Sequence, residues 1–366
     1  MGLFNRKIFN APNKAFGIDI SDLSIKVVEL SEGGNRRSLS GFGLYPIPRG
    51  SVVNGDIINK DDVILSIRKA IEISGPKRIK SRRVVFALPE TKAFLRIINI
   101  PKMEEDEISN AIKWEIEANI PLPIDQVYYD WRVLDKPLGT AGDNKLSILV
   151  VAVSRQAADQ FIEVMEAAGL TVMGLEVESL AQARSLIEEG TGNDETTVII
   201  DLGDRAAGFI AVLGRTPCFT SNIPTSIQLI TDAISKGLGV SPEEAMRIKD
   251  NVGIGSFLKQ DPVFEAVRPV LDGLVLGIKN SVDFYLTGLK YSNKIDRVLF
   301  CGGGASIKGL IPYLSSRLEL EVVPGDPWVN FHQGKILPAV EKSESVRYST
   351  AIGLALRGLS PYEDVY

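Results

Sequence analysis

Three stretches of the chain carry residue types suited to phosphate chemistry. The first, Phe16 to Leu30, reads Phe-Gly-Ile-Asp-Ile-Ser-Asp-Leu-Ser-Ile-Lys-Val-Val-Glu-Leu. Asp19 stands near the end of an alternating apolar run, Ser21 and Ser24 lie in the polar step after it, and Lys26 opens a β-rich return. Turn amides and hydroxyls donate to phosphate oxygens, an ammonium neutralises them, and a carboxylate holds magnesium through water. The second stretch, Thr197 to Leu213, repeats the design half a chain later: an apolar strand, then Asp201-Leu202-Gly203 as acid and turn, then an apolar return. In the third, the buried-looking strand Arg297 to Phe300 runs straight into Cys301-Gly302-Gly303-Gly304-Ala305-Ser306. Glycines there let backbone pass close to a flat or charged ligand, because no Cβ blocks the approach. Singly, each stretch has an ordinary reading as a strand-ending acid or a tight turn. In this order they predict two related halves, each presenting a hairpin to a shared cleft, with Asp19 and Asp201 placed to grip a polyphosphate and its magnesium.

A chain of 366 residues is long enough for two domains with their own cores. A net charge of −5 argues against general nucleic-acid affinity, which needs a broad basic surface. The one basic cluster, Lys77, Arg78, Lys80, Arg82 and Arg83, reads as a solvated connection before a strand. The two cysteines, Cys218 and Cys301, have no neighbouring partner of the kind metal motifs and disulfide frameworks use. With His332 the only histidine, neither a Ser-His-Asp triad nor a multi-histidine metal site is expected. The longest apolar runs, such as Leu146 to Val153, are too short to span a bilayer. No secretory signal is read at the start, and residues 1–13 are expected to form a flexible tail.

The elements that must position these stretches follow from periodicity. A strand and turn over 36–48 lead into a helix over 61–73, with Val63, Ile64, Ile67, Ala70 and Ile71 on one face and Gly75-Pro76 closing it. Strands follow at 83–88 and 93–100. A helix over 104–119 opens on acidic residues, carries the stripe Ile108, Ala111, Ile112, Ile116 and Ile120, and stops at Pro121 and Pro123. Strands at 128–133 and 146–153 precede a helix from a Ser154 cap to Ala168, with Gly169 as its exit. Residues 83–168 thus read as an inserted small α+β domain. A strand over 170–178, a helix over 179–188 and an acidic hinge lead to the second hairpin. Beyond it come helices over 224–238 and 242–249, a long helix over 264–289 interrupted near its start by Pro269, and a helix over 310–318.

The order of Asp hairpin, second Asp-Gly hairpin and Gly-Gly-Gly turn resembles the actin-like ATPase superfamily, and within it the PilM family of type IV pilus assembly. Phe16-Gly-Ile-Asp-Ile, Ser24-Ile-Lys26-Val-Val-Glu-Leu, Ile108-Lys113-Trp114-Glu115, Ile120-Pro-Leu-Pro, Glu176-Val-Glu-Ser, Asp201-Leu-Gly, Ile223-Pro224, Cys301-Gly-Gly-Gly-Ala and Ala351-Ile-Gly-Leu-Ala-Leu-Arg-Gly358 carry the resemblance. It implies an α/β actin-like ATPase fold: two duplicated halves flanking a nucleotide cleft, with the small insertion domain that FtsA and PilM place here. The expected parts are a first half over 14–82 joined by 169–192 and 345–358, the insert over 83–168, and a second half over 193–344.

It further implies ATP and Mg2+, with Asp19, Ser21, Ser24 and Lys26 on one side, Asp201, Gly203, Asp204 and Arg205 on the other, Lys249 near the nucleotide, and Gly302, Gly303, Gly304 and Ala305 at the adenosine. The implied partners are the cytoplasmic N-terminal segment of PilN and other pilus platform and motor proteins, which would hold this chain at the inner face of the cytoplasmic membrane. The sequence departs from the family at Ser21-Asp22, Asp204 to Gly208, Ser226-Ile227 and Met246. Ser21-Asp22 stands where the family favours Gly and a small residue, Asp204 to Gly208 where it supplies hydroxyls, Ser226-Ile227 for Gly-Gly and Met246 for an acid, so little or no hydrolysis is expected. An FtsA-like division protein and a sugar-kinase-type phosphotransferase are the alternatives; Asp201 is the one candidate base, and the short acidic end over 359–366 favours the pilus reading.

Overall fold

The structure, a computed structural model, describes residues 15–33, 36–119, 122–138, 144–257, 260–292, 294–331 and 342–359. The expected tail over 1–13, Ile120-Pro121, His332 and the residues after 359 lie outside the described residues. The chain forms two units. One holds Met1–Ser185, Phe331–Leu337 and Thr350–Tyr366, the other Leu186–Asn330 and Pro338–Ser349.

In the first unit, β1 (Phe16–Ile20), β2 (Ser24–Gly33) and β3 (Arg36–Pro46) form an antiparallel meander. After the two-residue strands β4 (Val52–Val53) and β5 (Asp56–Ile57) come α1 (Lys60–Glu72), β6 (Gly75–Pro76) and β7 (Arg83–Leu88). Then β8 (Ala93–Pro101), α2 (Glu105–Asn119), β9 (Val127–Val133), β10 (Lys145–Ser154), α3 (Arg155–Ala167), β11 (Thr171–Val177) and α4 (Glu178–Leu186) follow. The main sheet runs β11-β7-β1-β2-β3-β6, with β7 and β11 parallel to β1. All five β1 residues are buried, so its alternation is not one of inside and outside. Gly17 is small because the C-terminal helix α10 (Ser349–Leu359) crosses it: a Cβ there would collide with the Ala351 carbonyl. A Cβ at Gly353 would likewise collide with the Ala181 carbonyl, and one at Gly358 with the Ala15 carbonyl.

The insert is smaller than the expected 83–168. β7 lies between β1 and β11, and its apolar run, buried from Val84 to Leu88, is what a central parallel strand needs. α3 also belongs to the main body, where Phe161 stacks on Phe86 with ring centroids 6.1 Å apart. The separate sheet is β8-β10-β9. Ile108, Ile112 and Ile116 of α2 pack on its Ile98, Ile100, Ile148 and Val150, so the insert spans 93–154.

The second unit repeats the meander with β12 (Thr196–Leu202), β13 (Ala207–Leu213) and β14 (Thr216–Ile223). Helices α5 (Ile227–Leu238), α6 (Pro242–Val252) and α7 (Pro262–Asp283) follow, then β15 (Arg297–Cys301), α8 (Leu310–Leu318), β16 (Val322–Pro324) and α9 (Lys342–Ser345). Its sheet order, β14-β13-β12-β15-β16, with β15 and β16 running parallel, matches the first sheet strand for strand from β3 to β11. The unit begins at Leu186 rather than at 193, since the Asn330 side chain accepts from Glu189 N–H (2.8 Å) and donates to the Ile187 carbonyl (2.7 Å).

α7 is not interrupted at Pro269. Pro269 and Glu265, whose carbonyl loses its bond, are both exposed, so water serves that carbonyl. Asp261 caps the start through Val263 N–H (2.9 Å) and Phe264 N–H (3.3 Å), and Val267, Leu271, Leu274 and Ile278 bury one face.

Two outcomes follow from this packing. Arg184 makes a bidentate pair with Glu176 (2.7 and 2.8 Å) and donates to the Gly353 carbonyl (2.9 Å), all buried. Arg184→Met removes the bidentate partner, leaving the buried carboxylate with Arg357 alone at 3.3 Å, and is expected to cost about 3–5 kcal/mol in denaturant unfolding. Burial pushes the Cys218 thiol up to about 12, against a smaller lowering by Tyr285. That contribution is whole below the ordinary thiol range and is lost as pH rises through the folded value. Native protein at pH 8 is therefore expected to leave Cys218 unlabelled by a thiol reagent, with labelling appearing on unfolding.

Candidate nucleotide site

In the first unit the site residues lie at the carboxyl end of β1, where ligands bind in open parallel sheets. Asp19 sits directly across from Lys26 in the hairpin register, and the Lys26 ammonium donates to its carboxylate at 2.9 Å. Lys26's side chain is 12% exposed, so the pair is only partly screened by solvent. Ser21 turns the chain: its hydroxyl donates to the Ser24 carbonyl (3.0 Å) and lies 3.1 Å from the Ser24 hydroxyl. Asp19, Ser21, Ser24 and Lys26 are thus one cluster of a carboxylate, two hydroxyls and an ammonium. These groups fit a phosphate with a hydrated cation.

Asp22 does not add its charge to that cluster as a loose side chain. Its carboxylate accepts from Asn54 N–H (2.8 Å) and Gly55 N–H (3.0 Å), the tip of the β4–β5 hairpin. Both tip residues have positive φ, 52° and 76°, the conformation of a two-residue hairpin turn. The Asn54-Gly55 dipeptide was the signal for this clasp, and sequence reasoning passed over it.

In the second unit Asp201 lies across from Gly208 on β13 and beside Cys301 on the parallel β15. Where the first hairpin supplies Lys26, the second supplies no side chain at all. Gly203 and Ala206 close the turn (2.9 Å), with Arg205 exposed. The carbonyls of Gly203 and Asp204 accept the Ile227 and Gln228 amides (3.0 and 3.1 Å), and the Ser226 hydroxyl caps Leu229 N–H at 3.2 Å. Ser226-Ile227 is therefore the capped start of α5, docked on the Asp201 turn.

The glycines answer first to packing. Gly302 has φ +76°, and a Cβ there would strike the Asp201 carboxylate; one at Gly304 would enter Leu202, and one at Gly303 the Ile227 side chain (2.9 Å). The structure thus brings Asp201, Gly203, Asp204 and Gly302 to Gly304 together around the ends of β12 and β15, with Ala305 in the turn that follows. Lys249, in the last turn of α6, is paired with its neighbour Asp250; no contact places it in that cluster. Gly302→Ala is expected to destabilise the protein by about 1–3 kcal/mol from the backbone alone, since φ 76° with ψ −176° is a conformation essentially only glycine adopts, with the collision added. A lowered thermal midpoint measures it, and Asp201→Gly in the same background should recover part of the loss.

Among the described residues no helix is long and apolar enough to cross a membrane. The structure is similar to that of a PilM-PilN type IV pilus biogenesis complex, with a TM-score of 0.80 and 26% identity, covering 95% of this chain and 99% of the other. More distant likenesses show the fold alone. The ethanolamine utilization protein EutJ of Carboxydothermus hydrogenoformans has a TM-score of 0.55 and 18% identity, covering 97% of this chain and 94% of the other. MreB5 of Spiroplasma citri, solved with ADP, has a TM-score of 0.53 and 11% identity, covering 94% and 95%. These neighbours share the actin-like architecture of the repeated meanders. A sequence profile described as type IV pilus assembly protein PilM matches residues 17–359, and the chain belongs to that family.

Proposed function

We propose that this protein is an actin-like scaffold of the type IV pilus assembly platform that docks the cytoplasmic N-terminal segment of PilN. Through PilN it works at the inner face of the cytoplasmic membrane, alongside other pilus platform and motor proteins. The observation that carries the reading is the likeness over 95% of the chain to a protein solved in a PilM-PilN complex. The insert offers a surface for such docking: Trp114 on α2 is 73% exposed, and a large amphipathic ring at the surface is the usual anchor of a peptide interface.

The same protein binds ATP with magnesium, and hydrolyses it weakly or not at all. In the first hairpin Lys26, Ser21 and Ser24 would donate to phosphate oxygens, and Asp19 would hold magnesium through water. In the second unit Asp201, Gly203, Asp204 and Arg205 are the groups that would serve a phosphate, with Arg205 supplying the charge that Gly208 does not. Gly302 to Ala305 would serve the adenosine, with Lys249 near the nucleotide. What supports weak hydrolysis is the chemistry of the second turn, where Ala206, Ala207 and Gly208 offer no hydroxyl to order an attacking water. Bound nucleotide sets the conformation of the PilN surface.

Two titrations of the whole protein test this. A synthetic PilN N-terminal peptide is expected to bind at micromolar concentration and to bind Trp114→Ala about ten-fold more weakly, the size of a typical interface anchor. Silence at high micromolar peptide would remove the docking reading. Mg-ATP is expected to give saturable heat that Asp19→Ala abolishes. No heat with the intact protein would leave a fold kept for its partner surfaces alone.

A further inference from the structure

We propose that the loop Lys77 to Arg83, with the end of α1, forms a docking site for the phosphate headgroups of an anionic lipid bilayer. This goes beyond the PilN and ATP reading and uses neither. The chain carries a net charge of −5, yet five of these seven residues are cationic and none is acidic. The cluster expected to be a plain solvated connection is instead held in place by its backbone. Lys77 N–H donates to the Ser40 carbonyl (3.2 Å), Ile79 N–H to the Ser74 hydroxyl (2.9 Å), and the Arg82 carbonyl accepts from Thr171 N–H (2.7 Å). Ser81 N–H reaches the Glu29 carboxylate. Ile79 is buried, while Lys77, Arg78, Lys80 and Arg82 project outward. A backbone pinned at four points presents these charges at a low further cost in loop entropy.

The cations surround a surface basin of about 780 Å³ rimmed by Arg68, Arg78, Lys80 and Arg82 and floored by Ile71 and Ile79. The one acid in its lining, Glu72, is paired with Lys69 at 2.9 Å. Arg68 also donates to the Ala167 carbonyl at 2.7 Å, which quiets one of the helix-end carbonyls facing the basin. Among the described residues no carboxylate pairs with Lys77, Lys80 or Arg82. Beside the basin stand two exposed aliphatic side chains, Ile73 (54%) directly after Glu72 and Leu65 (56%) three residues before Arg68 on α1. Cations for phosphates, next to short aliphatic groups that dip into the headgroup layer, are the composition of a peripheral membrane surface. Charge complementarity with an anionic headgroup layer, beside aliphatic groups short enough to enter it, is the ground for a bilayer as the occupant.

The test is co-sedimentation of the full-length protein with phosphatidylcholine vesicles, with and without phosphatidylglycerol, in the absence of PilN and nucleotide. The expected result is binding that needs phosphatidylglycerol, weakens with salt, and falls about ten-fold or more in Lys80→Glu/Arg82→Glu. Both positions are exposed, so an unchanged melting curve confirms that the variant folds; the milder Arg78→Gln/Lys80→Gln should fall part of the way. Equal binding to the two kinds of vesicle, or no loss in either variant, overturns the proposal. Capture of inorganic phosphate or polyglutamate without capture of phosphatidylglycerol vesicles also overturns it, assigning the basin to a soluble anion or an acidic protein.

Discussion

A buried carboxylate between two guanidinium groups ties the helix α10 to the middle of the chain, at β11 and α4. Glu176 lies on β11, the edge of the first sheet, and receives Arg184 from α4 through two bonds and Arg357 from α10 at 3.3 Å. Ions so deeply buried repay their desolvation only when geometry and further hydrogen bonds are good, which the Gly353 carbonyl supplies for Arg184. The pairing holds α10 at backbone contact with β1 and α4, and that distance is why Gly17, Gly353 and Gly358 can carry no side chain. The strand that delivers Asp19 is thereby backed by the last helix of the described chain.

The two meanders share one topology and differ in the chemistry at their turns. In the first, an acid faces a lysine across the hairpin and two serines share the turn. In the second, the matching acid faces a glycine, and the turn is spent receiving the first amides of α5. A duplicated scaffold fixes where strand ends fall, while cross-strand neighbours decide what charge each end carries. Taken each by itself, the first hairpin offers a preformed cation and hydroxyls, the second a carboxylate and an exposed guanidinium.

Much of the fold was legible because local periodicity and caps act within a few residues. The stripe on α1, the Ser154 cap of α3 and the strand before Gly302 each follow from side chains close in sequence. The expected insert went wrong at residues 83–92 and 155–168 for the opposite reason. An apolar run such as Val84 to Leu88 says that a strand is buried, but not which strands flank it. Pro269 misled because a missing amide breaks a helix only where its orphan carbonyl cannot reach water, and exposure at Glu265 is a tertiary fact.

By itself, the sequence determined the two acid turns half a chain apart, the glycine turn after β15, and hence the family to which the chain belongs. These are short-range patterns, set by backbone sterics and strand alternation. Only the tertiary structure decided that Asp22 is drawn off to the Asn54-Gly55 turn, that the glycines are needed against Asp201, Leu202 and Ile227, and that Lys26 is already held by Asp19. It also gathered Arg68 with the cations of residues 78–82 around one basin. Those outcomes depend on which distant segments pack at each position, and a carboxylate or an ammonium takes its role from the partner that packing brings within hydrogen-bond reach.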